Sequence, residues 1–286
     1  MAERLCISRA IERYCSDYCW QKGYSKCTVN NYLWARDSFV QAVGDKYLDE
    51  LSVDDIRTWR RFMDSRGWAI NSVNAYLYKF RRIINHYSTE CSLSPKDIII
   101  PKKESKQPQF LLFEEVQAMI NADISLRDKA IIALLYSTGM RVGEVAAARK
   151  KDLIGTDMIA IRGKGSIERK GFIDDTARHY LFNYLLSRTD GSPCLFKSKK
   201  CGGLKKGGIE KIVRDAAKAA GIDRAVHPHM LRHSFATHLV QNGIGQFHLK
   251  DILGHADIST TQMYVHLGTK DLRESYAEFH KVPKLT

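Results

Sequence analysis

A run rich in proline and lysine, residues 94–108, cuts the chain in two, and any fold proposed for it must accommodate that cut. Pro95, Pro101 and Pro108 each remove a backbone donor and push the preceding residue away from helix, and Lys96, Lys102, Lys103 and Lys106 add little that can be buried. The run reads as an extended basic linker, set at residues 99–109. It separates residues 1–98 from residues 110–286, each within the usual size of a domain.

Both halves can build cores, since 44% of the 286 residues are hydrophobic. The 45 Lys and Arg against 32 Asp and Glu give a net charge of +13, which favours a polyanionic partner, nucleic acid before a membrane surface. No stretch approaches a transmembrane helix, and Met1-Ala2-Glu3-Arg4 leads into a charged amphipathic segment, so a cytoplasmic location is expected. Seven irregularly spaced cysteines argue against a disulfide framework. Cys15 and Cys19 are four apart with Cys6 and Cys27 nearby, but no Cys-x-x-Cys or His pattern supports a metal site, and half-buried thiols are expected.

The first half reads as four helices, over residues 7–20, 25–42, 52–65 and 71–87, a compact bundle. Ser52-Val53-Asp54-Asp55 opens the third. Arg57, Arg60, Arg61, Lys79, Arg81 and Arg82 lie on the last two helices with Trp59, Tyr76 and Tyr78 between them. That spacing fits a solvated face over core aromatics as well as it fits DNA contact.

In the second half, helices are expected at 114–120 and 126–137, the latter apolar and ended by Gly139. Arg141 then emerges on a short connection, a placement that holds a charge still. Glu144 is either its brace or a simple helix N-terminal acid, and the residues alone favour the simple reading. Strands at 158–162 and 170–173 flank Gly163-Lys164-Gly165, by itself a solvent-exposed hairpin that lacks phosphate-binding-loop spacing, so no ATP is inferred. Helices at 176–187 and 209–219 bracket a glycine- and lysine-rich loop.

Residues 226–266 concentrate the reactive side chains. Pro228 and Asn242-Gly243 bound a helix over 229–241. Leu231, Phe235 and Leu239 would face the core, and His229, Arg232 and His233 another face. A helix over 247–253 stops at Gly254, leaving His255 just past its end, and Ser259 with Gln262 has the form of a capping box. Tyr264 then falls in the first turns of a helix, where negative charge is favoured. A phenol with a pKa of about 10 attacks poorly at neutral pH unless cations favour the phenolate. Arg232, His229 and His255 are the nearby candidates.

His229-Met230-Leu231-Arg232-His233, Gly254-His255 and Thr260-Thr261-Gln262-Met263-Tyr264-Val265-His266 closely resemble the signature of the tyrosine recombinases, nearest to the short Xer type. Upstream, Thr138-Gly139-Met140-Arg141-Val142-Gly143-Glu144 and Gly163-Lys164-Gly165 match in the same order. The resemblance is strongest from Leu126 onward and loose before the linker. It implies a mainly α fold: a four-helix SAM-like core-binding domain that clamps DNA, and a mixed, mostly helical catalytic domain with a small antiparallel sheet.

The resemblance also implies the chemistry. Arg141 and Arg232 would clamp the scissile phosphate, with His229 and His255 hydrogen-bonding it or managing the tyrosine proton. Lys164, in a hairpin reaching the minor groove, would protonate the departing 5′ oxygen, and Tyr264 would hold the DNA as a 3′-phosphotyrosine. That link conserves the phosphodiester energy, so no ATP, metal or other cofactor is expected. His233, His238, His248 and His266 are expected to be structural or exposed, with a bracing role beside the site left open for His233. The tail at 269–279, with Leu272, Tyr276 and Phe279 on one stripe, implies docking on a neighbouring protomer. A homotetramer is expected on double-stranded DNA with paired inverted-repeat sites, alone or with a second recombinase or accessory protein, from monomers in solution. Departures are Gly143 and Ala148, where a small polar residue and a leucine are common, and Phe110-Leu111, which lacks the usual proline. A type IB topoisomerase-like enzyme and a non-catalytic DNA-binding protein are the alternatives. The residues do not distinguish chromosome dimer or cointegrate resolution from integration and excision of a mobile element.

Overall fold

The computed structural model describes residues 4–102, 109–162, 168–198 and 202–254, and the chain divides into two compact units between Lys106 and Gln107.

In the first unit, α1 (Ile7–Arg13) runs on through a π-helical segment, Tyr14–Cys19, where a single α-helix was expected. Apolar periodicity does not distinguish the two, because the wider turn still buries Tyr14 and Cys19. Burial raises the thiols of Cys15 and Cys19, Cys15 to about 12, so both are held protonated. Ser25 caps α2 (Lys26–Val43). A reciprocal Ser52–Asp55 capping box opens α3 (Val53–Ser65), and α4 (Ile70–His86) completes the bundle. Phe39, Trp59 and Phe80 form the aromatic centre, and Trp59 Nε1 donates to Ser38 Oγ at 2.8 Å.

Trp59 is therefore a core residue, whereas Tyr78 is exposed. Arg57 pairs with Asp54 and Arg60 with Asp64 on an exposed face. The proline-rich run is not extended from its start. Pro95–Asp97 forms a capped turn, Ile98 is buried, Ile100 packs on the core, and Asn74 Nδ2 donates to Pro101 O at 3.0 Å. Burying the two isoleucines ties this part to the bundle.

The second unit is built around α6 (Leu126–Thr138), whose residues Ala130 to Leu135 are all at most 2% exposed. A helix apolar on every side needs cover on every side. α5 (Phe113–Asn121), α8 (Asp175–Leu186), α9 (Lys206–Ala219) and α10 (Pro228–Gln241) supply it. A three-stranded antiparallel sheet comprises β1 (Leu153–Ile154), β2 (Met158–Arg162) and β3 (Glu168–Phe172). Ile159 and Ile161 point into the core, and opposite Ile159 a Cβ on Gly171 would lie 2.7 Å from Ile161 Cδ1 and 3.1 Å from Thr138 Cβ. Glycine thus lets the sheet close onto the end of α6. Ser137 reinforces this: its Oγ donates to Phe172 O at 3.0 Å and accepts from Asp174 N at 2.7 Å. The short α7 (Val142–Ala147) and α11 (Gln246–Leu253) complete the unit, and Leu231 enters the main core while Phe235 and Leu239 pack with Leu249 and Leu253. No helix among the described residues is long and apolar enough to cross a membrane.

Candidate active site

The site is assembled at Gly139. This residue ends α6 in the left-handed region, φ +58°, and a Cβ there would lie 2.5 Å from Phe235 Cδ1 and 3.3 Å from Leu253 Cδ2. α10 and α11 therefore pack directly on the turn that delivers Arg141.

Arg141 opens α7, and Glu144 serves it twice. Glu144 Oε2 accepts from Arg141 N at 2.7 Å, and Oε1 accepts from Arg141 Nη1 at 2.9 Å. The carboxylate is thus both helix cap and brace, the two readings the sequence left open. Arg232, on α10, is only 5% exposed, with Nη1 donating to Gly139 O at 2.5 Å and Nη2 to Leu253 O at 2.7 Å. Arg141 Nη2 reaches Gly254 O at 3.5 Å.

A third arginine completes the pattern. Arg169, on β3, donates Nη1 to Ile252 O and Nη2 to Glu144 Oε2, both at 2.9 Å. Three arginines thus take three successive carbonyls, Ile252, Leu253 and Gly254, where α11 ends in a left-handed glycine, φ +62°. Helix C-terminal carbonyls lack intrahelical partners and carry partial negative charge, so they attract cations. Nothing in the hairpin sequence marks Arg169 apart from Arg162 or Lys170; its role appears only once β3 is laid beside α11.

His229, at the start of α10, is exposed. Partial desolvation pulls its pKa below the ordinary imidazole value, and the neighbouring His227, Arg232 and Arg141 lower it further. The structure therefore brings His229, Arg232 and Arg141 within electrostatic reach of one another, an arrangement that favours the neutral imidazole. His233 is half-buried and lowered in the same way, by desolvation first and then by His229, His227 and Arg232. His238 bonds Tyr136 Oη through Nδ1 at 2.7 Å and faces the Phe110 and Phe113 rings. His227 caps α10, its side chain accepting from Met230 N.

Gly143 has a local explanation. A Cβ at this position would lie 2.8 Å from Lys206 Cε and 3.2 Å from its Nζ, so the side chain of Lys206 lies directly over Gly143 in the first turn of α7. Among the described residues no group of three or more His, Cys, Asp or Glu is placed to hold a metal ion. Lys164, His255 and Tyr264 lie outside the described residues, as do His266, the Ser259–Gln262 capping box and the tail at 269–279. What the described part offers is a braced cluster of guanidinium groups in which the Arg141 side chain is 40% exposed, a setting suited to an oxyanion such as phosphate.

Residues 109–270 match the model of the phage integrase family. The chain is 32% identical over 294 residues to tyrosine recombinase XerD of Oceanobacillus iheyensis, covering 96% of this chain and 99% of that protein. It is 28% identical over 281 residues to tyrosine recombinase XerC of Bacillus pumilus, covering 91% and 92%. The crystal structure of XerA recombinase is 28% identical with a TM-score of 0.54, covering 96% of this chain and 99% of that one. The Tn1549 transposon integrase in complex with transposon right end DNA has a TM-score of 0.76 at 16% identity, covering 95% and 99%, a likeness of fold. With a family model spanning more than half of its length and relatives that match it almost end to end, the chain belongs to the phage integrase family and is a tyrosine recombinase.

Proposed function

We propose that Tyr264 attacks a phosphodiester of double-stranded DNA held by Arg141 and Arg232, and that this is the cleavage step of the site-specific recombination this enzyme carries out. The supporting observation is the convergence of the two guanidiniums on the last turn of α11, with His229 beside them and its pKa lowered by both. Charges held in a desolvated, braced setting stabilise a transition state without reorganising, which is where electrostatic catalysis gains most.

In the proposed reaction the Tyr264 oxygen forms a bond to phosphorus as the bond to the 5′ oxygen breaks. Arg141 and Arg232 neutralise the charge growing on the non-bridging oxygens, a task for which paired arginine donors fit better than lysine. His229, neutral at physiological pH, accepts a hydrogen bond or proton from the attacking side, and His255 supports the same phosphate. Lys164 gives its proton to the departing oxygen. A 5′-hydroxyl from a partner strand then reverses the step, so one phosphodiester is exchanged for another with no net cost in bonds. Two such exchanges pass through a Holliday junction. A tetramer on paired inverted repeats would bring that partner strand within reach.

A trapping experiment tests the reading. Duplexes selected for binding from a library of paired inverted repeats are nicked beside the expected cleavage position and incubated with the protein in EDTA. A protease-sensitive adduct on the 3′ phosphate that is absent with Tyr264→Phe is the expected result. Tight binding without an adduct would leave a DNA-binding protein that does not cleave, and an adduct persisting in the variant would move the nucleophile to another residue.

A further inference from the structure

Arg169 is a buried arginine to which the proposed chemistry gives no part. It pairs with Ile161 across the sheet, and its side chain is 9% exposed. Its two guanidinium branches hold different elements at equal length: Nη2 on Glu144 Oε2 and Nη1 on Ile252 O, each at 2.9 Å. The stem is pressed against Gly254, where a Cβ would come within 2.6 Å of Arg169 Cδ and 2.8 Å of Nε. Glu144 turns its other oxygen to Arg141, and the carbonyl next to Ile252 receives Arg232. One planar fork therefore spans the supports of both proposed phosphate ligands.

We propose that Arg169 is a positioning residue for strand cleavage: by clamping Glu144 and the last turn of α11 together, it sets the Arg141 guanidinium in place relative to that of Arg232. The inference rests on the roles proposed above for those two arginines. A buried ion pair is a poor source of stability compared with apolar packing. Its particular gain is directional, because a guanidinium presents donors along two fixed axes and an ammonium does not. Both Nη donors of Arg169 hold protein acceptors, and the proposal assigns it no phosphate contact. Its effect passes through the placement of Arg141 against Arg232, and small displacements of such groups slow reactions severely.

The test compares native protein, Arg169→Lys and Tyr264→Phe on the selected nicked duplex, reading Kd, thermal midpoint and the single-turnover rate of adduct formation at saturating protein. Lysine keeps the charge beside Glu144 but cannot hold both acceptors. Its Kd should stay within about twofold, while the saturating rate falls on the order of 10- to 100-fold. In an Arg141→Lys background the same substitution should slow the reaction less than about twofold further, because the path through Arg141 is already broken. If Arg169→Lys does not fold, Glu144→Gln, which keeps the shape of the shared acceptor and removes its charge, should show the same separation of rate from affinity. A native saturating rate in a folded variant, a rate that falls only in step with affinity, or a full multiplicative loss in the Arg141→Lys background would overturn the proposal. Absence of a Tyr264-dependent adduct in the native protein would overturn the cleavage reading itself, whereas a native adduct with an unaffected Arg169→Lys overturns only the positioning role.

Discussion

At the scale of residues, Gly139 meets two demands at once: a left-handed backbone and the direct approach of Phe235. Gly139→Ala should cost about 1–3 kcal/mol through overpacking alone, with backbone strain added, and should slow adduct formation by displacing Arg141; denaturant unfolding and single-turnover cleavage read the two effects. The histidines make a second prediction. His229, His233 and His238 all titrate below the ordinary imidazole value, with desolvation the largest cause in each. Between the lowered folded values and about 6.5 in the unfolded chain, the unfolded state binds more protons, so stability falls as pH drops through that window and is full above it. The thermal midpoint should decline from pH 7.5 to 5.5, and substituting His233 and His238 with apolar residues of similar size should flatten the decline. Site residues were legible to different degrees. Arg141, His229 and Arg232 stood out as candidates through their match to the motifs of the resembling family, whereas Arg169 carries no local mark and Glu144 allowed two readings until both were seen to hold.

At the scale of elements, the well-signalled helices are those with strong ends and a single burial pattern. Ser52 and Asp55 announce α3, and Ser125 with Gly139 brackets α6. Ser52→Ala should cost about 1 kcal/mol in denaturant unfolding, the usual worth of an N-cap. β1 gave no signal because two residues carry no alternation, and α7 was marked only by Glu144 as an N-terminal acid because six residues carry less than two turns of periodicity. The π-helical continuation of α1 was hidden for a different reason, since its apolar residues still fall on one side. Where α6 meets β3, Ser137 makes two hydrogen bonds that no pattern in the sequence announces. Ser137→Ala should lower stability by about 1–3 kcal/mol, leaving Asp174 N without its acceptor, and should also reduce cleavage, because β3 carries Arg169.

At the scale of the whole molecule, the net charge of +13 points to phosphate contacts as the main source of DNA affinity. If some 6–10 phosphates are contacted, affinity should fall on the order of 10³- to 10⁵-fold between about 50 and 200 mM salt, as titration in a gel-shift or anisotropy assay will show. Sedimentation of the protein with DNA carrying paired sites should give four protomers per complex and one without DNA; complexes that stop at one protomer per site would sink the proposed assembly. The division of the chain at a proline-rich run, the mainly α character of both units and the order of the reactive side chains were all determined by the sequence, because each is written in local composition, caps and spacing. That Ile98 and Ile100 of the run belong to the bundle, that Trp59 is core, and that Arg141, Arg169 and Arg232 meet on three consecutive carbonyls were decided only in three dimensions. The physical reason is one of range. Caps and periodicity act over one or two turns, while the bonds that join different elements at the site span 21 to 113 positions, and that proximity exists only once α6, β3, α10 and α11 have packed.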